Sequence, residues 1–176
     1  MSPSQPVASL PAALRLGVFG GTFDPPHIGH QVLAEEACAQ LRLDRVLWVL
    51  TAQPPHKQDQ EISPLADRLA LTLAAIADNP RFALSRVDIE RPGPHWAADT
   101  IRLLAHEYPG AELVYLMGGD SLRDLPTWGR PLELLAACSL GVMRRPGQHV
   151  DLSGLEAALP GLSGNVQFLD LPMIEI

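Results

Sequence analysis

Cysteine is scarce in this chain: Cys38 and Cys138 stand alone, with no Cys-x-x-Cys pair. A disulfide framework is therefore not expected, and a reducing cytoplasm fits. Long apolar runs are missing too. None approaches the roughly 20 residues that a membrane span requires, so no membrane partner is expected. The start of the chain holds Pro3, Pro6 and Pro11 and carries no basic residue before Arg15. It lacks the charged start and apolar centre of a secretory signal, and residues 1–14 read as a flexible leader. Positive charge is also short. Thirteen Lys and Arg face twenty Asp and Glu, for a formal net charge of -7, and the basic residues are scattered. A general nucleic-acid surface needs a basic patch, so no nucleic-acid partner is expected. Internal repeats and low-complexity tracts are absent.

What is present suits one domain. At 176 residues and 47% hydrophobic, the chain can bury a core without disulfide or metal staples. Residues 16–19 form a short apolar run, and Leu33, Ala37 and Leu41 then recur at helical spacing from Ile28. Residues 45–50 are nearly all apolar, as a parallel strand covered on both faces should be. A polar connection over 51–62 is too long for an economical core link and reads as a substrate loop. Ser63 offers an N-cap with Pro64 at the first helical position, and that helix should end near Asp78. A strand over 82–89, a turn at Arg91-Pro92-Gly93-Pro94, and a helix carrying Ile101, Leu104 and Tyr108 follow. A buried strand over 112–117 ends at Gly118-Gly119-Asp120, and segments at 132–137, 139–143, 155–159 and 166–169 complete the alternation. The pattern predicts an α/β, Rossmann-like, doubly wound parallel sheet in a single domain over 15–176.

The chemistry concentrates in Gly20-Gly21-Thr22-Phe23-Asp24-Pro25-Pro26-His27-Ile28-Gly29-His30. A strand, a glycine turn and a helix start leave main-chain N–H groups free at the positive end of the helix dipole, which favours a phosphate. His27 and His30 can share one helical turn and donate to an oxyanion. One of them capping the helix while the other packs is the plainer alternative. As metal ligands they have no carboxylate or Cys partner at metal-site spacing, so no protein-held metal is expected. Gly118 and Asp120 fall at a strand's carboxyl edge, where open sheets bind ligands and a carboxylate can accept from ribose hydroxyls.

The run resembles the His-x-Gly-His signature of adenylyl and cytidylyl nucleotidyltransferases, and its Phe-Asp-Pro-Pro-His form is most similar to bacterial-type nicotinate-nucleotide adenylyltransferases. Pro54-Pro55-His56-Lys57, Arg68, Asp99-Thr100, Gly118-Gly119-Asp120-Ser121-Leu122, Trp128 and Arg145-Pro146-Gly147 agree in the same order. The resemblance implies attack by the phosphate of nicotinate mononucleotide on the α-phosphorus of ATP, giving deamido-NAD and pyrophosphate. His27 and His30 would hold the ATP phosphates. Gly20, Gly21, Thr22 and Phe23 would let the main chain approach the nucleotide, and Asp120 and Arg145 would meet its adenosine side. Lys57 would meet the mononucleotide phosphate, Trp128 would stack on the pyridine ring, and magnesium would arrive on the ATP phosphates.

Two departures stand out. His95-Trp96-Ala97 replaces the family's usual Ser-Tyr-Thr, so the Ala97 amide and the Trp96 ring would have to receive the nicotinate carboxylate and the pyridine ring without those hydroxyls. The last residues resemble the lead-in to a Ser-Ser-Thr-x-x-Arg motif that does not follow. A nucleotide-binding module with impaired catalysis is thus an alternative expectation. A pantetheine-phosphate adenylyltransferase is another, although that signature usually has Thr where His27 stands.

Overall fold

The computed structural model describes residues 13–55, 61–144, 146–147 and 149–172. Six strands form one all-parallel sheet: β1 (Arg15–Gly21), β2 (Arg45–Leu50), β3 (Phe82–Ser85), β4 (Glu112–Gly118), β5 (Ser139–Arg144) and β6 (Val166–Asp170). Their order across the sheet is β3-β2-β1-β4-β5-β6. Crossovers run through α1 (Ile28–Gln40), α2 (Leu65–Ile76), α3 (Ala97–Glu107), α4 (Gly119–Asp124), α5 (Pro131–Ala137) and α6 (Leu152–Ala158). Among the described residues no helix is long and apolar enough to cross a membrane.

Apolar alternation with helices dictates this architecture, because a strand buried on both faces must be covered by a layer on each. β2 shows the rule: its residues from Val46 to Leu50 are all buried. On one face, Phe19, Trp48 and Leu50 pack with Ala34, Ala37 and Cys38 of α1 and Ile76 of α2. On the other, Val18, Leu47 and Val49 meet Ile101 and Leu104 of α3 and Leu134 of α5. Fully burying each such aliphatic side chain contributes about 1.5–3 kcal/mol.

Several boundaries differ from the sequence expectation. Leu14, counted with the leader, already accepts a hydrogen bond from the Glu112 N–H at 2.8 Å and so extends the sheet contact; the rest of the leader lies mostly outside the described residues. Pro64, rather than Ser63, occupies the cap position of α2. Ser63 is diverted by tertiary partners, its N–H donating to Asp24 and its carbonyl accepting from Arg68, both at 2.9 Å. That helix also ends at Ile76, before Asp78. β3 stops at Ser85, because the next residues turn, with the N–H groups of Ile89 and Glu90 both donating to the Arg86 carbonyl. The helix expected from Ile101 begins at Ala97 and takes in Asp99. The glycines after β4 lead directly into α4, a short helix the apolar spacing did not announce.

Candidate active site

The chain leaves β1 toward β2 and β3 on one side and returns to add β4, β5 and β6 on the other, so the order reverses between β1 and β4. Ligands of open parallel sheets bind outside the carboxyl ends at that reversal. β1 delivers the glycine turn there and β4 delivers Gly118. Phe23 closes the turn with φ 46, a left-handed conformation that costs a non-glycine residue about 1–3 kcal/mol. Its ring is buried against Trp48 at 5.0 Å and Phe19 at 5.4 Å between centroids. Packing of this kind holds the strained residue in place.

The glycines serve this packing directly. A Cβ on Gly21 would stand 2.9 Å from the Phe23 ring, and one on Gly20 would stand 3.0 Å from the Tyr115 hydroxyl. The expected approach of main chain to nucleotide therefore comes with a second requirement, room for two aromatic side chains. Phe23 itself is an anchor beneath the turn and does not line the cavity described below.

His27 and His30 flank the start of α1 with ring centroids 3.7 Å apart and planes inclined by 34°. The His27 N–H donates to Nδ1 of His30 at 3.1 Å. Nδ1 is thus an acceptor, and the proton of the neutral ring sits on Nε2. Burial pushes His30 down to about 4, and the neighbouring His27 adds to the shift. At neutral pH His30 is therefore an uncharged Nε2–H donor with a fixed orientation. Nδ1 ties down the helix entry, and Nε2 carries the proton.

Beside the turn opens a cavity of about 260 Å³ whose walls include Thr22, Thr51, Trp96, Ala97, Tyr115 and Trp128. Ala97 is the first residue of α3, a position whose N–H has no acceptor within the helix. Trp96 lies against Gly129, where a Cβ would approach its ring to 2.6 Å; the absence of a side chain at 129 makes room for the indole. Trp128 meets Tyr115 edge to face at 6.0 Å. Burial pushes the Tyr115 hydroxyl well above its ordinary range, with Asp88 adding to the shift, and keeps it protonated.

Asp88 and Thr100 also line the cavity. Both are buried, and the Thr100 hydroxyl donates to Asp88 at 2.9 Å while Arg91 donates to the same carboxylate at 2.8 Å. His95, buried where the family usually has a serine, accepts from the Gln53 N–H through Nδ1 at 3.1 Å and lies 3.0 Å from the Arg91 carbonyl through Nε2. With Nδ1 accepting, Nε2–H donates to the Arg91 carbonyl, so the imidazole joins the segment at Gln53 to the turn at Arg91. Among the described residues no group of three or more His, Cys, Asp or Glu side chains could hold a metal ion.

The structure thus gathers Gly20, Gly21, Thr22, Trp96, Ala97 and Trp128 around one cavity. His27 and His30, the cap and third residue of α1 at the far end of the same turn, do not line it. Gly118 faces open space, with no atom within 4 Å of an added Cβ. Asp120, on the exposed first turn of α4, is paired with Arg123; its neighbour Ser121 lines the cavity instead. Lys57 and Arg145 lie outside the described residues. Asp88, His95, Thr100 and Tyr115 are cavity residues that sequence reasoning did not assign. Asp88 was hidden by reading 82–89 as one strand, whereas Thr100 carried a signal in the Asp99-Thr100 pair.

A doubly wound sheet with a glycine turn and a stacked histidine pair at its reversal point defines a nucleotidyltransferase of the Rossmann-like type. The chain belongs to the cytidylyltransferase-like family, whose model matches residues 18–173. It is 49% identical over 162 residues to a Thermomicrobium roseum protein, covering 92% of this chain and 76% of the relative. A Gloeobacter violaceus protein is 47% identical, covering 78% and 66% respectively. Both relatives carry the name "Probable nicotinate-nucleotide adenylyltransferase". The fold is shared with a Plasmodium falciparum nicotinic acid mononucleotide adenylyltransferase solved in complex with NaAD, at TM-score 0.74 and 15% identity, covering 92% of this chain and 77% of that one.

Proposed function

We propose that the chain transfers the adenylyl group of ATP to nicotinate mononucleotide, releasing pyrophosphate and forming deamido-NAD in NAD biosynthesis. The observation that carries this reading is a neutral, oriented His30 at the end of the glycine turn whose Gly20, Gly21 and Thr22 wall a cavity together with Trp96 and Trp128. An oxygen of the mononucleotide phosphate attacks the α-phosphorus of ATP; the new O–P bond forms as the bond to the bridging oxygen of pyrophosphate breaks. That nucleophile is already ionised at neutral pH, so the protein's work is orientation and charge stabilisation.

His30 donates through Nε2 to oxygens around the α-phosphorus, and His27 lies alongside it over the triphosphate. The glycine turn presents main-chain N–H groups to the same phosphates. Asp120 and Arg145 contact the adenosine side, and Lys57 meets the mononucleotide phosphate. Trp128 stacks on the pyridine ring, while the Ala97 N–H receives the carboxylate that separates nicotinate from nicotinamide. The donors at the turn suit phosphate oxygens rather than a cation, so magnesium would be held by the triphosphate and water, where it draws charge from the leaving pyrophosphate. A reducing cytoplasm keeps buried Cys38 and Cys138 as thiols.

The test is pyrophosphate release from ATP and magnesium with nicotinate mononucleotide, nicotinamide mononucleotide or 4′-phosphopantetheine as acceptor. Release is expected with the nicotinate acceptor and should be much slower with the other two. Equal rates with both pyridine acceptors would remove the Ala97 assignment, and release only with phosphopantetheine would overturn the reading.

A further inference from the structure

Arg68, in the first turn of α2, is only 2% exposed. Its guanidinium donates to four main-chain carbonyls. Nε reaches Ser63 at 2.9 Å, one terminal nitrogen reaches Thr22 at 2.9 Å and Thr51 at 3.0 Å, and the other reaches Ala52 at 3.2 Å. Burial disfavours the charged form, while the Asp24 carboxylate nearby favours it. A buried cation is tolerated when its donors are satisfied, and here four of the five N–H positions of a guanidinium are used. The acceptors belong to three separate segments: the turn after β1, the end of β2 and the entry to α2.

Two of those segments wall the same cavity. Thr22 continues the glycine turn, and Thr51 opens the loop on the mononucleotide side. The next residue but one, Gln53, has its N–H fixed by His95. Three consecutive residues, Thr51, Ala52 and Gln53, are therefore held through their main chain by side chains from elsewhere. One terminal nitrogen bridges Thr22 to Thr51, and the other two nitrogens of the fork add Ser63 and Ala52; an ammonium, a point donor on a flexible stem with three N–H groups, cannot hold all four carbonyls.

We propose that Arg68 is a positioning residue that couples the two substrate sides, setting the turn at Thr22 against the segment at Thr51–Ala52. A nucleotide on the turn then favours the bound arrangement of Thr51 and Ala52, and the mononucleotide favours that of the turn by the same factor. This rests on the substrates named above. Arg68 touches neither one.

The experiment is calorimetric titration of the full chain with a non-hydrolysable ATP analogue, with and without saturating nicotinate mononucleotide. The unaltered protein should bind the analogue about fivefold tighter, or more, when the mononucleotide is present. Arg68→Lys, which keeps the charge but not the fork, should bring that ratio close to one while both ligands still bind. A ratio preserved in Arg68→Lys overturns the proposal, as does a ratio of one in the unaltered protein. If the unaltered protein binds neither nucleotide, the substrate reading fails and takes the proposal with it.

Hydrogen exchange of the unaltered protein gives a second measurement should Arg68→Lys not fold. The ATP analogue alone should slow exchange at the Gln53 amide, a residue that does not line the cavity; unchanged exchange there overturns the proposal.

Discussion

The two faces of the sheet are built from different materials. The face under α1 and α2 is aromatic, with Phe19, Phe23, Trp48 and Phe82 all buried. The face under α3, α4 and α5 has a buried core without aromatics; Tyr108, Tyr115, Trp128 and Phe168 pack against it only partly buried, Tyr115 and Trp128 at the cavity. The contrast follows from what each face supports. On the first, ring packing immobilises Phe23 and His30, whose centroids lie 5.3 Å apart, so that a donor is held in one orientation. On the second, the rings of Tyr115 and Trp128 wall the cavity. Preorganised donors act on rate, and aromatic walls act on affinity.

The sharpest way to break this contrast is to remove the donor on the aromatic face. His30→Ala should lower kcat on the order of a hundredfold while changing ATP affinity little, as expected for a group that acts mainly in the transition state. Steady-state pyrophosphate release against direct ATP binding decides it; a large loss of affinity with kcat preserved would reassign His30 to ground-state binding. The packing beneath that donor can be tested next. Gly21→Ala places a methyl against the Phe23 ring and should destabilise the fold by about 1–3 kcal/mol in urea unfolding. Adding Phe23→Leu should recover part of that loss, and no recovery would mean the clash lies elsewhere.

On the cavity face, Trp128→Ala should weaken mononucleotide binding by about 0.5–1.5 kcal/mol beyond the lost contact area and leave ATP affinity nearly unchanged. Calorimetry with each ligand separates the two. Equal losses would indicate a collapse of the Trp128 turn rather than lost stacking.

The smallest expected effect is a pH slope that only the histidine face should show. The folded His30 titrates near 4 against an ordinary value of 6.5. Between those values the unfolded chain binds a proton at this site that the folded chain does not. The His30 contribution is therefore complete above about pH 6.5 and is lost as pH falls toward 4. Melting temperatures measured over that range without nucleotide should fall less steeply for His30→Gln than for the unaltered protein; parallel profiles would show that another group sets the slope.

The alternation of apolar runs was enough to place all six strands and the doubly wound sheet, because a strand buried on both faces leaves an unbroken apolar signature. The glycine turn and the His27–His30 spacing likewise mark the end of β1 and the start of α1, since a helix start imposes its own local geometry. Short elements were less legible. α4 has too few residues to show a period, and the strand assigned to 82–89 concealed a turn closed by the Arg86 carbonyl, which accepts from the Ile89 and Glu90 N–H groups.

Residues far apart in sequence are decided only by tertiary structure. Thr22, Asp88 with His95, and Tyr115 come from three different segments, and nothing local announces that the sheet order brings them to one cavity. Arg68 likewise depends on four carbonyls that converge only when the turn after β1 meets both ends of the connection between β2 and α2. A sequence determines a pattern of burial and local turns; which donors and acceptors meet is set by the packing that brings separate segments within about 3 Å of one another.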